Sequence, residues 1–266
     1  MNNTQMHTFE KVAASYEEIL VPALFAQWPN RLADAADVEA GQSILDVACG
    51  TGILARTVAE RMGQNGSVTG VDLNPAMLAV ARRLSSEITW HEADAAALPY
   101  EDESFDAVLC QLALMFFSGP EAALKECRRV MKTGGRLAAA VFGSLEEIPV
   151  YAAIADVYER VVGKSVGDAL RMPFSMGDRR RLAAIAAGAG IASTEIVTLE
   201  DRARFPSTES VVLSDVKGWF PFAEIELDDE TIAAVCKELD TTLQPYKQSN
   251  GAVDFPVRVH IVAGSK

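Results

Sequence analysis

The sequence predicts an α/β protein built on a doubly wound parallel sheet, and three observations support this. From residue 43 onward, short apolar stretches alternate with amphipathic helical stretches, which is the pattern of successive βαβ units. A glycine turn, Gly50-Thr51-Gly52, joins the first apolar stretch directly to a helix. The run from Leu137 to Phe142 is continuously apolar, as expected for a strand that helices cover on both faces.

Strands and helices alternate regularly through the first half of the chain. Strands are predicted at about residues 43–48, 67–72, 88–91, 105–110 and 135–142. The helices between them are predicted at 52–62, 74–84 and 120–132. Asn74 followed by Pro75 is typical of a helix start, and Gly134-Gly135 is interpreted as the glycine cap that ends the helix at 120–132.

The two flanks of this region carry mostly helical patterns. A helix is predicted over residues 9–38, with Pro22 opening its second segment. After residue 145 the pattern predicts helices at about 146–162, 178–188, 207–218 and 228–246, and strands at 194–203 and 255–263.

Composition and charge argue against several classes of protein and of binding partner. The 266 residues carry a formal net charge of −13, which disfavours nucleic-acid partners because phosphate backbones are repelled. The four cysteines are scattered, which argues against a zinc site or a disulfide framework and predicts no metal site. No signal peptide and no apolar stretch of membrane-spanning length are visible, so a cytoplasmic location without a membrane span is expected.

The glycine turn alone leaves two interpretations open, a tight turn without a ligand and a site for a nucleotide-like cofactor. Asp72 ends the second strand about 20 residues further on, where a carboxylate can accept hydrogen bonds from both ribose hydroxyls. Asp94 follows the third strand and can accept a hydrogen bond from an exocyclic adenine amine. A nicotinamide dehydrogenase would use the turn and Asp72 but would not need the Asp94 segment.

Five motifs together resemble the class I S-adenosylmethionine-dependent methyltransferases of the small-molecule type, close to the ubiquinone/menaquinone methyltransferases. They are LDVACGTG at 45–52, VDLN at 71–74, EADAAALP at 92–99, FDAVLCQLAL at 105–114 and RVMKTGGRL at 129–137. The resemblance implies a Rossmann-like sheet of seven strands whose last strand is antiparallel, plus a helical lid. The resemblance further implies that residues 1–266 form one domain. This domain would consist of an N-terminal helical cap (1–40), a cofactor-binding core (41–145), and lid helices with closing strands (146–266).

The resemblance also implies S-adenosyl-L-methionine as cofactor and a role for each matching residue. Asp46 and the glycine turn would hold the methionine half, Asp72 the ribose, and Asp94 with Ala95 the adenine edge. Leu73 and Met77 would flank the adenine, Gln111 would lie near the methyl group, and Tyr16 and Trp28 would close over the cofactor. The full predicted set is Tyr16, Trp28, Asp46, Ala48, Gly50, Thr51, Gly52, Asp72, Leu73, Met77, Asp94, Ala95 and Gln111.

The expected partner is a small hydrophobic or aromatic molecule that accepts the methyl group at O, N or C. The sequence leaves open whether the protein also forms a homodimer. No general base is identified, because His7, His91 and His260 all favour structural or surface roles, and residues 111–117 lack the histidine that many relatives carry there. Either proximity alone suffices for methyl transfer, or an acidic or tyrosine residue of the lid supplies the base. The alternative function is a cofactor-binding protein of the same fold without methyl transfer or with a non-methylating catalytic role. Candidates for the acceptor pocket are Met115, Phe116, Phe117, Met172, Phe174, Trp219, Phe220 and Phe222.

Overall fold

The computed structural model describes residues 3–266, with side chains from residue 9 onward, and contains a seven-stranded sheet in the order β3-β2-β1-β4-β5-β7-β6. Strands β1 to β5 are parallel to one another, whereas β7 runs antiparallel to β5. The predicted fold class is therefore confirmed. The strands are β1 Ser43–Val47, β2 Ser67–Asp72, β3 Thr89–Glu92, β4 Phe105–Gln111, β5 Met131–Phe142, β6 Ala192–Phe205 and β7 Val253–Ser265.

Ten α-helices and two π-helical segments accompany the sheet in the part of the chain that the structure describes. The α-helices are α1 Asn3–Ser15, α2 Pro29–Ala35, α3 Ile53–Met62, α4 Pro75–Leu84, α5 Pro120–Val130, α6 Pro149–Val161, α7 Lys164–Arg171, α8 Arg179–Gly188, α9 Thr208–Leu213 and α10 Asp229–Thr242. The first π-helical segment is Tyr16–Phe25 and the second is Ser214–Trp219.

The chain divides into two compact units, which are described separately. The sheet unit comprises Ala26–Phe142, Met176–Leu199 and Val259–Lys266. In its core, Leu45, Val108 and Ala138 of three adjacent strands are fully buried. Helices pack on the sheet over these apolar strands, as the continuous hydrophobic sequence of the strands predicts.

The helical unit comprises the residues up to Phe25, Gly143–Ser175 and Glu200–Arg258. Within it, α6 packs against α7 and α10, and the two π-helical segments contact each other. Gly218 permits this close approach, because a Cβ atom there would lie 2.7 Å from Cδ1 of Leu20.

Two predicted boundaries are wrong, and each has a local cause. Pro22 does not open a second helix: it lies inside the first π-helical segment, whose wider turns accommodate the missing N–H, and the next helix begins at Pro29. The helix predicted at 120–132 ends at Val130, because Met131 already has an extended backbone. The pair Gly134-Gly135 therefore lies within β5 and is not a helix cap. The sequence interpretation also missed α7 entirely.

Candidate functional site

The glycine turn between β1 and α3 has left-handed backbone at every second residue. Ala48 has φ +55°, Gly50 has φ +55° and Gly52 has φ +88°. Glycine adopts this conformation without steric cost, whereas at Ala48 it costs about 1 to 2 kcal/mol. Strained backbone of this kind clusters at ligand sites, so the turn is shaped for more than chain reversal.

Trp90 of β3 fixes the position of this turn, and the sequence analysis did not identify it. Its indole Nε1–H donates to the carbonyl of Ser85 at 2.9 Å, which holds the ring in place. A Cβ atom built on Gly52 would overlap ring atom Cη2, and one built on Gly70 of β2 would overlap Cζ3. Both glycines are therefore required by the close approach of one aromatic ring.

Gly52→Ala is expected to destabilise the protein by about 1 to 3 kcal/mol more than Gly50→Ala, because overpacking costs about that much. Both substitutions place an alanine at positive φ, but a Cβ atom at Gly50 meets nothing within 4 Å. Gly50→Ala is thus a matched control for the backbone strain alone. Urea unfolding of both variants measures the difference, and equal losses would contradict the role of Trp90.

Two aspartates bind the turn through backbone N–H groups. Asp72 Oδ2 accepts from the N–H of Gly50 at 2.8 Å, and Asp72 Oδ1 accepts from Asn74 at 2.8 Å. Asp46 Oδ2 accepts from the N–H of Ala55 at 3.0 Å. Each carboxylate oxygen has two lone pairs, so Asp72 retains acceptor capacity toward ribose hydroxyls.

The same two carboxyl groups are buried, which favours their neutral forms when no ligand is bound. Burial raises the pKa of Asp46 well above its usual value, opposed by the Ala55 hydrogen bond and reinforced by the nearby charge of Asp72. Burial also raises the pKa of Asp72, opposed by hydrogen bonds from the N–H groups of Asn74 and Gly50. A cation placed beside them would favour their ionised forms. The arrangement therefore suits a positively charged ligand.

The segment after β3 comes next to Asp72. The N–H of Ala93 donates to the carbonyl of Asp72 at 3.1 Å. The exposed carboxylate of Asp94 accepts from the N–H of Ala96 at 2.8 Å and so caps a turn. Ala95, between them, is half-buried. This hydrogen bond uses one lone pair of the Asp94 carboxylate and leaves the others available to a ligand.

Arg129 of α5 holds the continuation of this segment, and its role was also missed. Its Nη1 donates to the carbonyl of Tyr100 at 2.7 Å, and its Nη2 donates to the carbonyl of Leu98 at 2.9 Å. Glu126 completes the arrangement by accepting the N–H of Leu98 at 2.9 Å. Side chains on one helix therefore determine the path of the loop that follows Asp94.

The carboxyl end of β4 carries Gln111, which is half-buried, and then Leu112, which has φ +54°. A bulky residue in the left-handed region is strained, and such residues cluster at functional sites. The N–H of Leu112 donates to the carbonyl of Ala140 in β5 at 2.9 Å, which stabilises the strained turn.

The remaining predicted cofactor residues differ in their exposure. Leu73 is 65% exposed, whereas Met77 is buried. Trp28 is fully buried in the sheet unit, with the guanidinium carbon of Arg31 5.2 Å from its ring centroid. Tyr16 belongs to the helical unit, where it stacks on Phe25 with ring centroids 5.3 Å apart. The structure therefore groups the turn, both aspartates, the Asp94 segment and Gln111 in the sheet unit.

The proposed acceptor residues are distributed between the units, whereas His91 and His260 both lie in the sheet unit. Met115, Phe116 and Phe117 lie in the sheet unit, and the other five acceptor candidates lie in the helical unit. His91 Nδ1 lies 2.9 Å from the Tyr100 hydroxyl, and buried His260 contacts Thr198 Oγ1 at 2.8 Å. The side chain of His7 falls outside the described part of the chain.

The residues of the turn fit a ligand with a cationic group and hydrogen-bonding hydroxyls. Asp46 Oδ1 and Thr51 Oγ1 are buried without a hydrogen-bond partner, and such atoms cost about 1 to 3 kcal/mol each unless a ligand or water satisfies them. The open space around Gly50 lets a ligand approach the backbone. Among the residues that the structure describes, no group of three or more histidine, cysteine, aspartate or glutamate side chains is arranged to hold a metal ion.

Comparison with known proteins matches residues 45–139 to a family described as a methyltransferase domain. The chain is 34% identical over 159 residues to the ubiquinone/menaquinone biosynthesis C-methyltransferase of Hahella chejuensis, covering 56% of this chain and 64% of that protein. It is 33% identical over 166 residues to the protein of the same name from Bdellovibrio bacteriovorus, covering 60% of this chain and 70% of that protein. The match therefore spans just under two thirds of the length of the first of these relatives.

Among solved structures, a putative methyltransferase from Bacillus halodurans superimposes with a TM-score of 0.60 at 18% identity, covering 90% of this chain and 98% of that one. This likeness supports the fold alone. The matched segment 45–139 contains the glycine turn, Asp72, Asp94 and Gln111. The enzyme class and the cofactor predicted from the sequence motifs are confirmed by these relatives. The chain belongs to the class I S-adenosylmethionine-dependent methyltransferases.

Proposed function

We propose that this protein transfers a methyl group from S-adenosylmethionine to a small aromatic acceptor. The observation that carries the proposal is the buried acidic turn, in which the unpartnered Asp46 Oδ1 lies near Asp72. When bound, S-adenosylmethionine supplies an activated methyl group on a sulfonium centre. The positive charge of this cofactor favours the ionised forms of the two aspartates, so cofactor and carboxylates stabilise each other.

Each part of the sheet unit has a distinct task in this proposal. Asp46 and the backbone of the turn hold the methionine half, and Asp72 accepts hydrogen bonds from the ribose hydroxyls. Leu73, a large apolar side chain left exposed at the edge of the site, covers one face of the adenine together with Met77. Asp94 and Ala95 take the adenine edge, and Gln111 lies at the methionine end. Tyr16 and Trp28 remain predicted contacts.

Methyl transfer is an in-line displacement, so the protein contributes mainly by alignment and by excluding water. The nucleophile must approach the methyl carbon to about 3 to 3.5 Å. Rigid elements serve this task well. Arg129 holds the loop at Leu98 and Tyr100 through hydrogen bonds, and Trp90 packs against the glycine turn. These contacts keep the backbone of the proposed cofactor site from shifting.

The names of the two relatives favour an aromatic acceptor methylated at carbon. Both are ubiquinone/menaquinone biosynthesis C-methyltransferases, and quinone precursors are aromatic rings. The helical unit is rich in aromatic side chains, although these pairs are buried in its core: Tyr151 packs on Phe174 with centroids 4.8 Å apart, and Tyr158 meets Phe220 at 5.2 Å.

Isothermal titration with S-adenosylmethionine and with S-adenosylhomocysteine tests cofactor binding. A transfer assay with radiolabelled cofactor and a panel of reduced naphthoquinones, phenols and amines tests the reaction. We expect both cofactor forms to bind and an aromatic acceptor to gain label. Absence of binding would overturn the proposal. Binding without transfer to any acceptor would favour the alternative of a binding or non-methylating protein.

We also propose that the protein acts in the cytoplasm, as one domain, without a nucleic-acid partner. The net charge of −13 and the four unpaired cysteines support this proposal. None of the helices between residues 3 and 266 is long and apolar enough to cross a bilayer. The homodimer stays a prediction, which light scattering on the eluted protein would test.

A further inference from the structure

Two aspartates of the sheet unit hold the segment from Gly50 to Ala55 at its two ends. Asp46 is 1% exposed, its Oδ2 atom accepts from the N–H of Ala55, and its Oδ1 atom is buried without a hydrogen-bond partner. Asp72 accepts from the N–H of Gly50. Among the described residues, no cationic side chain is one of the groups that shift the ionisation of either acid. The pair therefore lacks a compensating positive charge from the protein.

The titratable and charged groups that face this pair come from the turn, β4, α4 and α3. Burial raises the pKa of the Cys49 thiol in the turn and of the Cys110 thiol on β4, and the charges of the two aspartates raise both further. Both thiols therefore stay neutral. Arg82 on α4 and Arg56 on α3 each donate to a backbone carbonyl, and neither acts on the ionisation of the aspartates.

The cofactor and its product differ by one positive charge. In methyl transfer, the attacking atom of the acceptor supplies the electron pair of its new bond to the methyl carbon. The pair of the broken S–C bond stays on sulfur, and a proton carried by the attacking atom leaves to solvent. S-adenosylmethionine therefore has a sulfonium charge that S-adenosylhomocysteine lacks. In a buried site, such a charge strongly affects the ionisation of a nearby acid, because the effective dielectric constant is low.

Building on the proposed methyl transfer, we propose that Asp46 is a specificity-determining residue that distinguishes S-adenosylmethionine from S-adenosylhomocysteine by charge. When the sulfonium is bound, the aspartate pair gives up a proton to solvent, and both carboxylates are ionised. When the sulfonium charge is gone, Asp46 takes a proton back from solvent. The site then loses its electrostatic attraction for the product, which favours product release. For this role Asp46 acts through its charge and needs no contact with the reacting atoms.

The ionisation of the pair agrees with this assignment. Burial raises the pKa of Asp46 well above its usual value, the Ala55 hydrogen bond lowers it, and the charge of Asp72 raises it. The pKa of Asp72 is raised less, so the proton that the pair holds without a ligand resides on Asp46. A bound cation lowers the pKa of Asp46 again. The preference for cofactor over product should therefore increase with pH across the range in which Asp46 ionises.

Isothermal titration of the wild-type protein with both ligands tests this inference. Between about pH 5.5 and 6.5 the α-amino groups of the ligands stay protonated, because such groups have pKa values of about 7.7 to 8.0. We expect the affinity for S-adenosylmethionine relative to S-adenosylhomocysteine to rise with pH, by up to about tenfold per pH unit. Titrations in phosphate and in bis-tris buffer, which differ in ionisation enthalpy, count the protons released. S-adenosylmethionine should release more protons than S-adenosylhomocysteine.

Asp46→Asn keeps the shape of the side chain and an acceptor for the N–H of Ala55, but it cannot ionise. At about pH 6.5 this variant should lower the relative affinity for S-adenosylmethionine by about tenfold. It should also remove the pH dependence of this ratio and the difference in released protons. Glu60→Gln, which changes an exposed acid on α3, should retain all three wild-type properties.

The outcomes separate this inference from the proposed function. If the wild-type protein binds both ligands with a ratio that is independent of pH and with equal proton release, the charge-based distinction is wrong and the cofactor site stands. Retention of the pH-dependent ratio by Asp46→Asn would also overturn the role of Asp46. If the variant does not fold, the wild-type titrations alone decide whether the distinction exists. Failure of both ligands to bind would refute the cofactor site and, with it, the proposed function.

Discussion

Asp72→Ala is expected to weaken S-adenosylmethionine binding by about 1.5 to 3 kcal/mol, roughly 10- to 150-fold, because a charge-assisted hydrogen bond to the ribose is lost. A second loss adds to the first. The same carboxylate accepts from the N–H groups of Gly50 and Asn74, so the turn loses one backbone contact and the start of α4 loses another. The effect should therefore lie toward the upper end of this range.

Isothermal titration measures the loss, with Glu60→Gln as the control. Glu60 is exposed on α3 of the same unit, so its substitution removes one negative charge without touching the turn. A thermal unfolding curve of Asp72→Ala establishes that the variant is folded at the titration temperature. Unchanged affinity in a folded Asp72→Ala variant would refute the ribose role of this residue.

Asp215→Asn is expected to stabilise the protein without ligand by about 2 to 4 kcal/mol at about pH 8, and to change its stability little near pH 4. The pKa of this carboxyl is raised by burial to about 7 in the folded protein, against about 4 in an unfolded chain. The folded state therefore binds the proton more tightly than the unfolded state does. Stability contributed by the protonated acid is fully present below about pH 4 and is lost as the pH rises toward 7.

Urea unfolding of the wild-type and Asp215→Asn proteins at several pH values measures this difference. The amide cannot ionise, so the variant avoids the cost of burying a charge and its advantage should grow between about pH 4 and 7. Asp229→Asn serves as the exposed control and should show no such trend. A variant less stable than wild type at pH 8 would mean that Asp215 supports the fold. A variant more stable than wild type at pH 8 would show that the buried charge of Asp215 is costly to the fold.

The cofactor side of the site was largely predictable from the sequence, because it is built from contiguous motifs. A strand, a turn with Gly50 and Gly52, and an acid at the end of the next strand follow one another along the chain. In a parallel sheet the carboxyl ends of neighbouring strands lie at the same edge, so Asp46 and Asp72 had to come close.

The parts that were missed depend on contacts between residues far apart in sequence. Trp90 is an ordinary apolar residue in its own strand, and only pairing of β3 with β2 brings its ring over Gly70. In the sequence, Arg129 fits the charged face of an amphipathic helix. Only the structure shows its contact to the loop at Leu98. Asp215 lies in a stretch whose spacing fits an ordinary helix, and that spacing does not distinguish a buried acid from an exposed one.

The predicted helix boundaries were wrong for a different reason. Glycine pairs favour helix ends, but Gly135 lies where the backbone of β5 approaches Asp106 so closely that a Cβ atom would be 2.8 Å from its carbonyl. The requirement comes from a neighbouring strand and not from a helix cap. Likewise, the π-helical turns around Pro22 and Asp215 keep the apolar content of an α-helix, so hydrophobic periodicity cannot reveal them.

The packing of Trp90 against two glycines has a consequence for how this family diverges. One ring fills the space next to position 52 and next to position 70, so a substitution at either glycine overpacks this region while the indole stays. Divergence at these positions is therefore least costly in steps that begin with a smaller residue at position 90. In relatives of this fold, a side chain at position 70 should occur only with a reduced residue at position 90. The three positions should thus covary as one inherited unit.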